Sequence, residues 1–208
     1  DTPEPVKPDA LFPNNWFSTH SAGQLIMYPM YSPIRRFERR KDFIEDLLKR
    51  KFTINEIIDL SFFEDDEQYL EGTGSMVIDH ESKTIFACYS ERTHPIPLDY
   101  LGKLLGYKII GFHANQENQG VLSPIYHTNV MMHVGTELAV VCLDSIPKAS
   151  EKQAVQKSLT QAGKKVVPIT TKQKFHFAGN MLEVGNDGGE KFTVMSETAL
   201  DSLNIGQV

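Results

Sequence analysis

The sequence predicts an α/β fold built from repeated modules, each with two strands, a helix and a third strand. Short β-type runs alternate with helical stretches along the chain. The order strand, strand, helix, strand occurs at residues 76–112, recurs at residues 128–169, and has a looser version at residues 16–60. No sequence identity accompanies this recurrence, so the repeat rests on the order of the elements. Modules of this kind would fit a radial arrangement.

Hydrophobic periodicity assigns the individual elements. Helices are predicted at residues 36–50, 98–105 and 148–162, and Gly163 is a stop signal for the last of them. The segment 185–189, rich in glycine, asparagine and aspartate, predicts a hairpin turn. One face of the first helix would carry the apolar residues Phe37, Phe43, Ile44, Leu47 and Leu48. Strands are predicted at residues 16–19, 25–28, 57–60, 76–79, 84–89, 108–112, 128–133, 138–143, 165–169, 179–183 and 192–195.

The composition is that of an ordinary globular protein and argues against several classes. The 208 residues suffice for a large domain, and we expect residues 1–208 to form a single catalytic-type domain. A net charge of −6 with interspersed signs argues against nucleic acid as a partner. No apolar run approaches the roughly 20 residues of a membrane span, and two cysteines are too few for a disulfide framework. We therefore expect a cytoplasmic protein that does not bind membranes, and the sequence leaves a homo-oligomer open.

Four short motifs carry polar residues that a plain core strand would not need. They are Asn14-Asn15-Trp16, Glu71-Gly72-Thr73-Gly74, Ser90-Glu91-Arg92-Thr93 and His127-Thr128-Asn129. In this order they resemble the guanidino-group-modifying enzymes of the pentein superfamily, in particular the amidinotransferase-like branch of citrulline utilisation hydrolases, which is related to arginine deiminase and dimethylarginine hydrolase. The resemblance implies a pentein-type α/β propeller of ββαβ modules, incomplete in this chain. It also implies a small-molecule amino-acid substrate, and we expect no cofactor.

Glu71 and His127 are the candidate catalytic residues. Glu71 precedes two glycines that let the backbone turn tightly, so its carboxylate could accept a hydrogen bond from a histidine or a substrate. An imidazole can exchange a proton near neutral pH, so His127 could give a proton to a leaving amine and later take one from water. If residues 128–133 form a strand, Asn129 shares a face with His127. His133 would lie on the same face of that strand as His127. No acidic or cysteine ligand at a suitable spacing completes a metal site with these histidines, so we expect no metal site.

Two arginine positions are candidates for binding the carboxylate of an amino-acid substrate. A guanidinium offers a rigid fork of donors that suits a carboxylate. Arg92 occupies the position that the resembling family uses for this task. Arg35 or Arg36 resembles a second such arginine, and Arg36 is the predicted residue.

Asp9, Asn14 and Asn15 are the remaining predicted substrate-binding residues. Asp9 resembles the residue that binds the substrate α-amino group. Arginine deiminase and dimethylarginine hydrolase carry a carboxylate where this chain has Asn14 or Asn15. A desolvated cation needs a formal negative partner, whereas a neutral ureido group is matched by an amide. The two asparagines therefore favour citrulline or another neutral analogue over arginine.

The chemistry implied by the resemblance needs a cysteine thiolate as nucleophile. In the family this residue lies near the C-terminus after a glycine-rich run, but here Gly188-Gly189 is followed by Glu190. Cys88 and Cys142 lie in apolar strands and are predicted to be buried and inert. The sequence also starts at Asp1 without a methionine. We therefore expect a fragment that lacks an N-terminal module and the C-terminal cysteine segment and is inactive alone.

The predicted function is a thiol-dependent hydrolase of C–N bonds in linear amidines or ureido amino acids, with citrulline or an arginine-like molecule as substrate. The first alternative is an amidinotransferase, in which an amine accepts the thiol-bound group. The second is a non-catalytic binding protein of the same fold. The hydrolase and the non-catalytic binding protein differ in the residues that they require. A binding surface has no use for Glu71, Arg92 and His127 directed at one site.

Overall fold

Three sheets of the same topology follow one another along the chain. The computed structural model describes residues 4–50 and 53–208, without the side chains of Lys41, Leu48 and Lys49. The first module consists of β1 (Phe17–His20), β2 (Gln24–Met27), α1 (Pro33–Arg36), α2 (Lys41–Lys49) and β3 (Glu56–Asp59). Its strands are ordered β1-β2-β3, and β2 pairs antiparallel with β1 and parallel with β3.

The second module begins after a short helix, α3 (Gly72–Ser75). It contains β4 (Met76–Asp79), β5 (Thr84–Cys88), α4 (Pro95–Leu105) and β6 (Lys108–Phe112). As in the first module, the middle strand β5 pairs antiparallel with β4 and parallel with β6. The chain enters α4 through a proline in the first turn and leaves it at Gly106, whose φ of +67° suits a residue without a Cβ.

The third module repeats this topology after a hairpin of β7 (Asn115–Asn118) and β8 (Val121–Pro124). It contains β9 (Met132–Val134), β10 (Leu138–Val141), α5 (Ala149–Gln161) and β11 (Lys165–Pro168). Strand β10 pairs antiparallel with β9 and parallel with β11. The predicted recurrence of ββαβ modules is thereby confirmed. The hairpin was not predicted, because its polar strands lack the alternation of apolar residues that identifies a half-buried strand.

The last part of the described chain starts another unit. It contains α6 (Thr171–Phe175), β12 (Leu182–Gly185), β13 (Lys191–Val194) and α7 (Glu197–Ser202). Helix α6 has a full capping box, in which Thr170 and Gln173 bond each other's backbone N–H groups. The antiparallel pairing of β12 with β13 confirms the predicted hairpin turn.

The hydrophobic core lies between neighbouring modules. All five residues of β5 are buried. Phe86 and Cys88 belong to the cluster shared with β9 and β10, whereas Ile85 and Ala87 belong to the cluster shared with β2. Because successive strand residues point to opposite faces, a continuous apolar run supplies both clusters. This packing holds the starts of the modules next to one another.

Two predicted elements differ from the observed ones. The helix predicted at residues 36–50 is interrupted, so that α1 and α2 are separate helices. Phe37 is 60% exposed and does not join the predicted apolar face. The side chain of Leu48, also predicted on that face, lies outside the described part of the chain. The strand predicted at 128–133 starts with a 3-10 turn, Thr128–Val130. Hydrogen bonds within that turn, from the N–H groups of Val130 and Met131 to the carbonyls of His127 and Thr128, compete with a strand there.

None of the helices formed by residues 4–50 and 53–208 has the length and apolar character that a membrane span requires.

Candidate functional site

A cavity of about 750 Å³ lies where the starts of the modules converge. Three short helical segments form or support the wall of this cavity, and each lies directly before the first strand of a module. They are Pro13–Asn15, Gly72–Ser75 and Thr128–Val130. The cavity is lined by Asp9, Asn14, Asn15, Arg92, His127 and Asn129 among others. A larger cavity of about 1110 Å³ lies against β11, but none of the predicted site residues lines it, so the chemistry is sought in the smaller one.

Glu71 and His127 form a buried pair at this cavity. Oε2 of Glu71 lies 2.7 Å from Nε2 of His127, and the two residues are 0% and 6% exposed. The other carboxylate oxygen, Oε1, accepts the backbone N–H of Tyr31 at 3.1 Å. Because an ionised carboxylate only accepts hydrogen bonds, this arrangement assigns the Nε2 proton to the bond with Glu71.

Opposing influences act on the pKa of Glu71. Burial is the largest of them and by itself would raise this pKa. The hydrogen bond and charge of His127, the charge of Arg92 and the Tyr31 N–H act together in the other direction. The net result is a pKa below the usual value for glutamate, so Glu71 stays ionised in its buried position.

Gly72 and Gly74 allow the module starts to approach one another. Gly72 has a φ of +44°, and a Cβ at this position would lie 2.2 Å from the carbonyl oxygen of Asn14. A Cβ at Gly74 would lie 2.3 Å from Nδ2 of Asn15 and 2.9 Å from the His127 ring. The glycines of the predicted motif are therefore required by close contacts between the first, second and third modules.

Arg92 contacts the same carboxylate. Its Nη1 donates to Oε2 of Glu71 at 3.3 Å. The guanidinium carbon lies 5.7 Å from the ring centre of Tyr31 and 5.6 Å from that of Tyr126, so the group sits between two aromatic faces. Its buried Nε has no hydrogen-bond partner in the part of the chain that the structure describes.

The second arginine of the cavity is Arg35, which corrects the prediction of Arg36. Arg35 is 4% exposed, and its Nε and Nη2 each donate to Glu38 at 3.0 Å. Its Nη1 donates to Oδ1 of Asn15 at 3.0 Å and lies 3.9 Å from Oε2 of Glu71. Arg36 does not line the cavity, because helix α1 turns it toward the Met30 carbonyl at 3.0 Å and Glu64 at 3.3 Å.

Asp9, Asn14 and Asn15 line the cavity from the first module. Asn15 is 5% exposed, and its amide oxygen is engaged by Arg35. Nδ2 of Asn14 donates to the Thr73 hydroxyl at 3.2 Å. The carboxylate of Asp9 is about half exposed and lies 3.9 Å from Nε of Arg35. The structure thus brings together these three residues with Glu71, Arg92, His127 and Asn129.

Asn129 reaches the cavity for a different reason from the predicted one. We expected a strand to place it on the same face as His127. Instead His127 precedes the 3-10 turn and Asn129 lies within it, and the turn exposes both residues to the cavity. The backbone carbonyl of Asn129 accepts a hydrogen bond from Nδ2 of Asn180 at 3.2 Å.

Several cavity residues were missed by sequence reasoning. They include Tyr126, Gln116, Lys174 and Asn180. Asn180 lies shortly before β12, as Asn14 and Asn15 lie before β1 and Asn129 before β9. The position of a polar residue before the first strand of each unit is the signal that could have identified it. No comparable signal marks Gln116 or Lys174, which lie far apart in sequence and meet only in the folded chain.

No cysteine lines this cavity among the residues that the structure describes. Cys88 and Cys142 are both free and buried, as predicted. Burial raises the pKa of the Cys88 thiol to about 11, which leaves it protonated at neutral pH. Within the same described ranges, no cluster of three or more histidine, cysteine or acidic residues could hold a metal ion.

The sequence matches one family of known proteins. A family model described as "N,N dimethylarginine dimethylhydrolase, eukaryotic" matches residues 1–208. The chain belongs to this family. No curated protein sequence matches it.

Solved structures show how this member of the dimethylarginine dimethylhydrolase family folds. It superposes with a TM-score of 0.65 and 15% identity on ArgZ, an arginine dihydrolase from the ornithine-ammonia cycle in cyanobacteria, over 88% of this chain and 26% of that one. On AgrE in complex with ornithine and NAD+, the TM-score is 0.64 and the identity 15%, and the match covers 86% of this chain and 24% of AgrE. On a dimethylarginine dimethylaminohydrolase adduct with 4-chloro-2-hydroxymethylpyridine, the TM-score is 0.53 and the identity 14%, and the match covers 84% of this chain and 60% of that one.

At these identities the likeness shows the fold alone, and it confirms the predicted pentein-type fold. The match of the family model over residues 1–208 confirms the predicted relation to dimethylarginine hydrolase. The chain spans about a quarter of the length of the ArgZ and AgrE chains and 60% of the dimethylaminohydrolase chain.

Proposed function

We propose that this chain carries the acid/base and substrate-binding residues of a thiol-dependent hydrolase that cleaves C–N bonds in linear amidines or ureido amino acids. The observation that carries the proposal is the contact of 2.7 Å between Glu71 and His127 at a cavity lined by polar side chains. Family membership supports the same class of reaction. The arginine dihydrolase and the dimethylarginine dimethylaminohydrolase that share the fold act on guanidino compounds by name.

In this proposal His127 transfers protons. Its Nε2 is held by Glu71, which leaves Nδ1 as the nitrogen that exchanges a proton with the reactants. A thiolate attacks the central carbon of the ureido or guanidino group, and the imidazolium protonates the amine as the C–N bond breaks. The imidazole then takes a proton from water, which attacks the thiol-bound carbon and frees the thiol. Glu71 stabilises the protonated ring by its negative charge.

The cavity wall favours a neutral group over a cationic one. The resemblance to arginine deiminase and dimethylarginine hydrolase implies that those enzymes carry a carboxylate where this chain has Asn14 or Asn15. Arg35 adds a positive charge beside Asn15. Glu38 balances that charge, so the wall offers donors and acceptors without a net negative charge. A desolvated guanidinium would lack a formal counter-charge there, whereas a ureido group would not need one. We therefore place citrulline ahead of arginine as substrate.

The nucleophile in this proposal comes from outside the described cavity wall. Cys88 and Cys142 are buried in the core, and the thiol of Cys88 is held protonated by its high pKa. An amidinotransferase would use the same residues with an amine in place of water, and the products distinguish the two reactions.

The experiment is product analysis by mass spectrometry with the full-length protein and either L-citrulline or L-arginine. Ornithine and ammonia from citrulline, with no turnover of arginine, would support the proposal and the role of the two asparagines. Turnover of arginine alone would overturn the choice of substrate. Transfer of the group to an added amine would favour the transferase. Absence of turnover and of binding with both amino acids would favour the non-catalytic protein.

A further inference from the structure

Phe177 holds a backbone conformation that a phenylalanine rarely adopts. It directly follows His176, the C-cap residue of α6, and its φ of +65° lies in the left-handed region. Its N–H donates to the Lys174 carbonyl at 2.9 Å. The N–H of Ala178 donates to the Gln173 carbonyl at 3.1 Å. These two bonds form a Schellman motif, whose left-handed position is usually a glycine because a Cβ is disfavoured there.

The packing of the described chain does not explain why a phenylalanine occupies this position. Phe177 is 59% exposed and belongs to none of the hydrophobic clusters that residues 4–50 and 53–208 form. Phe175, two residues earlier, differs because the Lys174 ammonium lies 4.4 Å from the centre of its ring. A glycine would fit the turn without strain, so a strained residue with an exposed ring indicates a role for the ring outside the core.

The fold places Phe177 on the same side of the cavity as His127. Both residues line the cavity. The turn that contains Phe177 packs against the 3-10 turn that follows His127, because a Cβ at Gly179 would lie 2.7 Å from the backbone of that turn. Nδ2 of Asn180 donates to the carbonyl of Asn129 in the same 3-10 turn at 3.2 Å. These contacts hold the strained residue beside the cavity.

We propose that the phenyl ring of Phe177 is a substrate contact that covers an apolar part of the ligand, such as the methylene chain of a linear ureido amino acid. The inference rests on the proposed function and adds a residue that determines affinity for this class of substrate. Ring surface that faces water in the empty cavity would be buried when the ligand binds, which stabilises the complex.

The test compares Phe177→Gly, which removes the ring and the strain, with Phe177→Ala, which removes the ring alone. Calorimetry with the full-length protein uses whichever of L-citrulline and L-arginine the unchanged protein binds. Both variants should bind that ligand roughly 5- to 10-fold more weakly, about the effect of no longer burying the exposed half of a phenyl ring. Phe177→Leu keeps an apolar side chain and should retain part of the affinity.

The stability of the same variants separates a ligand contact from a structural role. Phe177→Gly should unfold in urea at a midpoint no lower than that of the unchanged protein, because glycine adopts the left-handed conformation freely. It should also raise KM with little change in kcat, since the ring contacts the substrate and not the reacting atoms.

Lys83→Gly is the matched control. Lys83 also has a positive φ, +50°, but it is exposed in the turn between β4 and β5 and does not line this cavity. Its replacement should relieve strain in the same way and leave ligand binding unchanged. The inference is overturned if Phe177→Gly binds the ligand as the unchanged protein does. It is also overturned if Phe177→Gly unfolds at a clearly lower urea concentration, because the ring would then stabilise the fold.

Failure of the proposed function gives a different result. If the unchanged full-length protein neither binds nor turns over L-citrulline and L-arginine, the proposed function is overturned and the contact with it. If the unchanged protein binds one of them and Phe177→Gly binds it equally well, only the contact is overturned.

Discussion

Oε2 of Glu71 is shared by two partners, since Nε2 of His127 lies 2.7 Å away and Nη1 of Arg92 lies 3.3 Å away. Nη1 of Arg35 lies 3.9 Å from the same oxygen. One buried carboxylate thus organises basic residues from the first, second and third modules, and its negative charge is what the arrangement requires.

Glu71→Gln should therefore lower turnover by the full-length protein by a factor on the order of 10² to 10⁴, the usual contribution of a positioned acid/base group. The amide cannot stabilise a protonated His127 by charge. Initial rates of ammonia release with citrulline measure the effect. Glu117→Gln is the control, because Glu117 is exposed on β7 and does not line the cavity. Equal rates for both variants would contradict a catalytic role of Glu71.

The lowered pKa of Glu71 also predicts a dependence of stability on pH. A carboxyl group whose pKa is lower in the folded state than in the unfolded state stabilises the folded protein at pH values above its unfolded-state pKa, here near 4.5. This stabilisation is lost as the pH falls through the folded-state pKa. The free energy of unfolding should thus differ most between the unchanged protein and Glu71→Gln at pH 6 to 7, roughly the plateau of this contribution. The difference should shrink below about pH 4.5. Urea denaturation at several pH values measures it, and a constant difference would contradict the ionised, paired state of Glu71.

Removal of Arg35 should destabilise the protein more than removal of both Arg35 and Glu38. Arg35→Met leaves the carboxylate of Glu38, which is 4% exposed, without its two bonds. The expected loss is about 3–5 kcal/mol, whereas a double replacement by methionine removes both charges and should cost less. Denaturation of the single and double variants tests this. If the losses simply add, the two residues do not form the coupled pair described above.

Gly74→Ala should disrupt the site with a moderate loss of stability. The added Cβ would lie 2.3 Å from Asn15 and 2.9 Å from His127, so both side chains must move. We expect a loss of about 1–3 kcal/mol, as for overpacking elsewhere, together with loss of ligand binding. Gly188→Ala in the β12–β13 turn is the control, because a Cβ there would come no closer than 3.3 Å to a neighbour. Normal citrulline binding by Gly74→Ala would show that the cavity tolerates this displacement.

Replacing the asparagines by aspartate should shift preference toward cationic ligands. Asn15→Asp places the new charge 3.0 Å from Arg35, which partly neutralises it. Asn14 bonds only the neutral hydroxyl of Thr73 in the described contacts, so Asn14→Asp should have the larger effect. We expect the affinity ratio of arginine to citrulline to rise about tenfold for Asn14→Asp, equivalent to about 1.4 kcal/mol. Competition binding measures the ratio, with the exposed Asn118→Asp as control. An unchanged ratio in both variants would refute the account of these amides.

The sequence by itself determined the repeated order of the main elements and several of the residues that line the cavity. The alternation of apolar residues predicted the three modules, because burial of a strand face leaves a periodic pattern in the chain. The four motifs identified Glu71, Arg92, His127 and Asn129, because their order along the chain resembles that of the pentein superfamily.

Only the tertiary structure decided which side chains share one cavity. The periodicity around residue 36 could not show that α1 ends there, and so could not separate Arg35, bound to Glu38 and Asn15, from Arg36, bound to Glu64. Nothing in the local sequence marks Lys174, whereas the folded chain buries it with its Nζ bonded to Gln116. The physical reason is that charge pairing and desolvation depend on distances between residues far apart in the chain, which local patterns do not encode.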